Sequence, residues 1–356
     1  MPAFIIRRLF YGLLVLWGVI TVVLFIFTIL PGDPARMMLG QRADQEAIEE
    51  IKKELGLNRS IWVQYALYLN DLSPISYHSK AESSATYYVE SKYSGKTLFE
   101  TQSSLWVVKP PYLRRSYQSQ KKVASILLES LPETAVLAVA AVAFATLVGV
   151  LLGLLSALFQ DSFLDRSLLL IATSGMALPS FFVGVLAAWL FGHLWADYTG
   201  LNMSGSLYEV DDLGRGEYIN WSNLVLPAIT LGVRPLSVIL QLSRNSLLEV
   251  LSMDYVRTAR AKGLSSRVVL FKHSLKNAMN PVVTAISGMF ASLMAGAVFI
   301  EIIFSWKGIG WEIVNALEKY DLPIVMGAVL IIAVIFVSIN ILVDIIYGVL
   351  DPRVRV

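Results

Sequence analysis

The chain contains no cysteine, only three histidines, and few charges for its length. Without cysteine there can be no disulfide framework, thiolate metal site or thiol nucleophile. His78, His193 and His273 lie in three separate segments with no ligand spacing, so each reads as structural or superficial. Charged residues make up 16% and apolar residues 56% of the 356 residues, against roughly a quarter and a half in soluble domains. Recognisable catalytic motifs are also missing. Gly95-Lys96-Thr97 resembles the end of a phosphate-binding loop, but that spacing requires glycine at position 90, where Glu90 stands. No H-E-x-x-H, G-x-S-x-G or paired-carboxylate motif falls in an apolar stretch, which excludes the visible signatures of a membrane hydrolase. The chain is therefore expected not to be an enzyme and to hold no cofactor.

The chain does carry long runs of apolar residues. In hydrocarbon every backbone N–H and C=O must bond within its own segment, so runs near 20 residues predict spanning helices. Six are expected: about Leu9–Leu30, Thr134–Phe159, Ser167–Leu194, Leu224–Leu242, Pro281–Phe304 and Val325–Leu350. The first ends in Pro31-Gly32-Asp33-Pro34 rather than a small-residue cleavage site, so it reads as an uncleaved helix. Residues 1–8, 160–166, 244–280 and 351–356 carry 2, 1, 7 and 2 basic residues. The short loops 195–223 and 305–324 carry only Arg215, and Lys307 with Lys319. The positive-inside rule then places both termini in the cytoplasm. The expected fold is an all-α polytopic membrane protein with six transmembrane helices and a large external loop between helices 1 and 2.

The chain divides into residues 1–30 (N-terminal segment and first helix), 31–133 (external loop), 134–350 (five-helix core) and 351–356 (tail). In the long loop, Asp44–Leu57 predicts a helix capped by Asp44, striped by Ile48, Ile51 and Leu55 and ended by Gly56. Ile61, Trp62, Tyr65 and Leu69 suggest a second. Alternation around Thr86–Tyr93 and Gly95 suggests a hairpin, and Val123–Leu131 before Pro132 a helix lying in the interface.

Ionisable groups within spans are functional candidates by default. Three qualify: Arg234, Glu301 and Asp344. A mid-span arginine costs roughly 2.5–3.5 kcal/mol on insertion scales, so Arg234, flanked by Pro227 and Pro235, either lines a path or pairs. Glu301 and Asp344, nearer the span ends, can reach headgroups or a neighbouring helix. Gly149 and Gly153 form a G-x-x-x-G pair that signals close helix packing.

The loop 244–280 is the most informative segment. Ser252 can cap a helix, Asp254 sits in its first turn, Arg260 and Lys262 in its last, and Gly263 supplies a left-handed stop. Ser265 or Ser266 caps a second helix running to Asn280-Pro281, and Leu248, Leu251, Tyr255 and Ala259 form an apolar stripe. Its basic face (Arg257, Arg260, Lys262, Arg267, Lys272) either obeys the positive-inside rule and attracts anionic lipid, or belongs to a rigid knob for a cytoplasmic partner; capping at both ends favours the knob.

The run Asp254–Leu264, followed by Asn277-Ala278 and Asn280-Pro281, resembles the EAA loop of ABC importer permeases, in particular the peptide/nickel family. The motif's glutamate, two alanines and glycine fall on Arg257, Thr258, Ala259 and Gly263, with departures at the first two positions usual for the peptide branch. Gly32-Asp33-Pro34, Leu55-Gly56-Leu57 with Gln64-Tyr65, Leu131-Pro132-Glu133-Thr134, and Asp344 … Tyr347 … Asp351-Pro352-Arg353 agree. The likeness spans nearly the whole chain except about 74–121, which looks like an insertion. The resemblance implies half of a translocation pathway, formed with a second homologous permease, fed by an external solute-binding protein and driven by two cytoplasmic ATP-binding subunits that hold the ATP. Tyr255, Arg257, Thr258, Ala259, Arg260, Lys262 and Gly263 would then form the ATPase-coupling helix. The partners expected are these subunits and the lipid bilayer, with no nucleic acid. The competing class is a stand-alone secondary transporter or channel, for which several matched intramembrane charges or interrupted helices would be expected.

Overall fold

The computed structural model describes residues 2–29, 34–39, 44–82, 84–211, 214 and 216–350. Gly32-Asp33, Arg215, Asp351-Pro352-Arg353 and the 351–356 tail lie outside the described residues. The chain is mostly helical, with two small antiparallel sheets where the sequence suggested one hairpin.

Among the described residues, four helices are long and apolar enough to cross a membrane: Ile6–Phe27, Val123–Leu158, Ser222–Ser252 and Leu322–Ile345. A fifth span is available if the pair Phe163–Ala177 and Ser180–Leu194, bent by 106°, counts as one. The sequence run Ser167–Leu194 looked continuous. It breaks because Pro179 cannot donate a helical N–H, and Leu178 before it is forced to extended geometry (φ −74°, ψ 134°). The expected Pro281–Phe304 span is divided into Asn280–Gly296 and Val298–Ile303, with Ala297 between.

At Pro132 the opposite happens. The separate interfacial helix expected over Val123–Leu131 is instead the start of one 36-residue helix, Val123–Leu158. Proline removes one hydrogen bond, but Val123 and Leu127 before it and Leu137, Ala138 and Ala141 after it are fully buried. Burial of whole apolar side chains, at about 1.5–3 kcal/mol each for the larger ones, outweighs that loss.

The chain forms two compact units. In the first (1–5, 131–311 and 335–356), Leu137, Ala141, Leu226, Leu231, Ile300 and Trp306 centre the core. Here the G-x-x-x-G expectation holds: a Cβ on Gly149 would lie 3.0 Å from the Leu236 carbonyl, and one on Gly153 2.6 Å from that of Leu240. Backbone-to-backbone approach of this kind is what small residues permit between helices.

In the second unit (6–130 and 312–334), Leu24, Tyr68, Leu72, Met326 and Leu330 pack together. The Gln45–Glu54 helix forms as expected and turns at Gly56 (φ +71°), although Asp44 makes no side-chain cap bond. The Ile61–Leu72 helix follows. The hairpin is displaced from its expected place. Strands β1 (Ile75–Ser79), β2 (Lys96–Glu100) and β3 (Ser104–Val108) make a sheet of order β1-β3-β2, with Tyr77 opposite Trp106. Glu90–Tyr93 is instead a helical turn, which carries Tyr93 inward so that its hydroxyl donates to Asp71 (2.9 Å). Lys96 therefore stands in a strand, not in a phosphate loop. Asp321 ties 116–118 to this unit by accepting from the Ser116 hydroxyl, Tyr117 N (2.9 Å) and Gln118 N (3.3 Å).

Candidate functional site

The Ser222–Ser252 helix runs one residue further than the capping expectation allowed. Ser252 is its last residue and donates to the Glu249 carbonyl (2.7 Å), so it caps nothing. Met253, extended at φ −69° and ψ 149°, makes the corner, and a new helix begins at Asp254 and ends at Ala261. Eight residues are too few to hold a helix in water, so packing must supply the stability. Val256 and Ala259 do this, buried against Leu247, Val250, Val269 and Ala278. The corner shifts the apolar stripe: Tyr255 is exposed and Val256 buried, where continuous helical spacing had put Tyr255 inside.

The far end closes as sequence reasoning expected. Gly263 stands at φ +79°, where a side chain would be strained. Its N–H bonds to the Arg260 carbonyl (2.9 Å) and the Leu264 N–H to that of Ala259 (3.4 Å). This pair is the Schellman closure, which fixes the exit direction of the chain. Lys262 is the C-cap residue. The next segment is interrupted: Ser266–Val268 passes into a π-helical turn, Val269–Ser274, before Leu275–Ala278.

The outward face is polar. Asp254, Tyr255, Arg257, Thr258, Arg260 and Lys262 are all exposed. Thr258 bonds back to the Asp254 carbonyl (2.9 Å), and the Tyr255 hydroxyl accepts from Asn277 Nδ2 (2.9 Å). Arg257 approaches Asp254 at 3.4 Å, a pair so exposed that it contributes little. Sequence reasoning missed a brace between the Ser222–Ser252 helix, which leads into this one, and the Phe163–Ala177 helix. Arg244 grips Asp165 through both guanidinium edges, Nε to Oδ1 at 2.8 Å and Nη2 to Oδ2 at 2.7 Å, while Ser156 and the Asp161 N–H also donate to that carboxylate. An Arg and an Asp 79 positions apart leave no periodic trace.

The three intramembrane candidates do not assemble into one site. Arg234 is exposed, and among the described residues no carboxylate pairs with it. Asp344 is half-buried in the Leu322–Leu350 helix. Glu301 is fully buried and, of its two expected alternatives, takes the neighbouring helix rather than the headgroups. It accepts from Thr134 Oγ1 (2.7 Å) and Trp311 N (3.0 Å), and Thr134 in turn accepts from Ile309 N (2.8 Å). Next to it, Glu133 accepts from the Ser206 hydroxyl, and its carbonyl accepts from Trp306 Nε1 (3.0 Å). Glu301 thus staples the 306–311 turn to the 133–134 helix segment.

No grouping of three or more His, Asp or Glu able to hold a metal occurs among the described residues. What this arrangement offers is mechanical: a short, outward-charged helix packed through Val256 and Ala259 and closed at its C-terminal end. The profile of the family described as the binding-protein-dependent transport system inner membrane component matches residues 149–356, and that of its N-terminal region matches residues 1–101. The chain belongs to this family. The permease is 33% identical to the dipeptide transport system permease protein DppB of Alkalihalophilus pseudofirmus, covering 100% of both chains. It is 35% identical to DppB of Escherichia coli K12, over 100% of this chain and 99% of that one. The glutathione transport system permease protein GsiC of Escherichia coli O6:H1 is 30% identical over 99% of this chain and 98% of its own. Among solved structures, a chain of the MetNI methionine ABC transporter in an inward-facing conformation matches with a TM-score of 0.50 at 18% identity. That match covers 64% of the permease and 97% of the other chain, and it shows a shared fold.

Proposed function

We propose that the permease forms half of the translocation pathway of an ATP-driven importer for di- or oligopeptides. It crosses the cell membrane six times with both termini in the cytoplasm, the broken Asn280–Ile303 stretch making the fifth crossing. It pairs with a second homologous permease, receives solute from an external binding protein, and leaves ATP binding to two cytoplasmic subunits. The Tyr255–Gly263 segment is the coupling helix: Arg257, Arg260 and Lys262 meet the ATPase, and Gly263 fixes the angle at which the lever leaves it. Arg234 lines the path, and 74–121 takes part in docking or covers the outer mouth.

The observation that carries this reading is a helix of eight residues, held by two buried side chains and a Schellman turn, whose charged face has, among the described residues, only the exposed Arg257–Asp254 ion pair. The dipeptide assignment rests on DppB relatives aligned end to end. Replacement tests it. Proline at position 263 cannot adopt φ +79°, and arginine at 259 must leave the buried cluster and change the docking face. Gly263→Pro and Ala259→Arg should therefore insert normally, yet lose ATPase association and peptide uptake. Normal uptake in either variant refutes the coupling assignment. Uptake by the purified permease without any ATPase would instead favour a secondary transporter.

A further inference from the structure

The 44–130 region forms a half-open cavity of about 240 Å³ that the importer reading does not use. Among the described residues its lining is electrostatically one-sided: Lys53, Arg59, Lys92, Arg114 and Arg115 against the single carboxylate of Asp71. These cations come from three separate stretches of chain, namely the end of the Gln45–Glu54 helix and its following turn, the Glu90–Tyr93 turn, and the irregular segment before Val123. Convergence from distant stretches is what distinguishes a built concavity from a charge run on a solvated face.

The one carboxylate is already committed. Asp71 accepts from Tyr93 OH (2.9 Å) and from Arg114 Nε (3.0 Å), and Arg114 lies over the Tyr68 ring at 5.0 Å. Arg115 is partly used, donating to the Gln120 carbonyl (2.9 Å). Among the described residues Lys92 meets aromatic faces, Tyr93 at 4.6 Å and Tyr112 at 5.2 Å. Among the described residues neither Lys53, Arg59 nor Lys92 has an ion-pair partner. Burial pushes the Lys92 and Lys109 ammonium groups below the usual lysine range, although Asp71 acts against it. Like charges gathered in a partly desolvated cavity repel one another, and an anion entering it is favoured by the same field. The volume exceeds what one bare ion fills, since a single water needs only about 10–15 Å³ on this measure. Tyr93, Tyr112 and Tyr117 add aromatic wall suited to an organic body.

We infer that this cavity is a binding site for a small organic polyanion carrying carboxylate or phosphate groups, with Lys53, Arg59 and Lys92 as its free cationic contacts. Neutral and zwitterionic solutes of the same size gain little from this field and are discriminated against. The site lies on the side that the proposed topology makes external, and it needs neither the ATPase nor transport to fill.

Calorimetric titration of the full chain in nanodiscs of zwitterionic lipid tests it, with citrate, inorganic phosphate and the zwitterion Ala-Ala as probes. One saturable citrate site is expected, tighter than phosphate and with Ala-Ala undetectable, and weakening as salt is raised. The doubly substituted Arg59→Gln, Lys92→Gln chain should bind citrate at least tenfold more weakly while keeping its thermal midpoint, because neither side chain pairs with a carboxylate. Arg114→Gln is avoided, since it removes the partner of buried Asp71. Absence of saturable citrate binding, equal binding of Ala-Ala, or unchanged affinity in the double variant overturns the site. Phosphate binding tighter than citrate overturns the organic-anion assignment and leaves an inorganic one. Uptake is not the readout, so failure here is separable from failure of the importer reading.

Discussion

At the Asp254–Ala261 helix the chain buries two small apolar side chains and leaves its charges outside, whereas at the Glu133–Glu301 corner it buries carboxylates and surrounds them with donors from its own backbone and side chains. Both places hold ionisable groups that a sequence reader marks as functional. The difference lies in satisfaction. Buried polar groups must find partners within the protein, and when they all do, the arrangement is a staple. Charged groups left exposed on a rigid element, with partners neither needed nor supplied, suit a surface that another molecule covers.

The comparison can be broken most severely at Glu301. Glu301→Ala leaves the buried Thr134 hydroxyl and the part-buried Trp311 N–H without their acceptor, a loss of about 2–6 kcal/mol at 1–3 kcal/mol per orphaned group. Thermal or detergent-induced unfolding should show a clearly lowered midpoint, and an unchanged one would mean the corner is not structural. At the other place, Val256→Ala removes two methyl groups from a fully buried site, costing about 1–2 kcal/mol. The effect should be local: faster hydrogen exchange over 254–263, with the global midpoint unmoved.

Acid gives a third, smaller contrast. Glu209 accepts from Asn220 Nδ2 (3.0 Å), Asn223 Nδ2 (2.7 Å) and Tyr218 OH (2.9 Å) across the β4 (Tyr208–Val210) and β5 (Glu217–Ile219) hairpin. Those bonds, from Asn220 first, hold its carboxyl below the usual range. A folded pKa below the unfolded value of about 4.3 gives stabilisation that is complete above that value and is lost as pH falls through it and on through the folded one. Hydrogen exchange should thus show the hairpin loosening as the pH is taken from neutral to about 3, and in Glu209→Gln the pH dependence should vanish. Smallest of all, Tyr255→Phe deletes one exposed hydrogen bond to Asn277, worth at most about 1 kcal/mol. It should leave uptake near normal, and a large uptake defect would assign the hydroxyl a direct contact.

Much of this was legible from residue order alone, and the reasons are physical. Long apolar runs report spans because hydrocarbon permits few alternatives, so helices stand where four spans were expected, although Val123–Leu158 begins eleven residues early and Ser222–Ser252 ends ten residues late. The Gly263 stop was readable because positive φ selects glycine. Proline was ambiguous: Pro132 sits inside a helix and Pro179 breaks one, and only the burial of neighbouring side chains decides between these outcomes. The one-residue shift that buries Val256 in place of Tyr255 followed from the corner at Met253, which periodicity cannot foresee. Contacts between distant residues, such as Arg244 with Asp165, Glu301 with Thr134, and the cations around Asp71, carry no local signature at all.

The absence of cysteine makes the central claim directly measurable, because any cysteine introduced is unique. Thr258→Cys, on the exposed face of the short helix, should be joined by a bifunctional thiol reagent to a cysteine-bearing ATPase subunit in membranes, while Thr199→Cys, in the 195–223 loop, should not. A cross-link from position 258 alone is the result this account predicts. No cross-link from position 258, or an equal one from position 199, would contradict it.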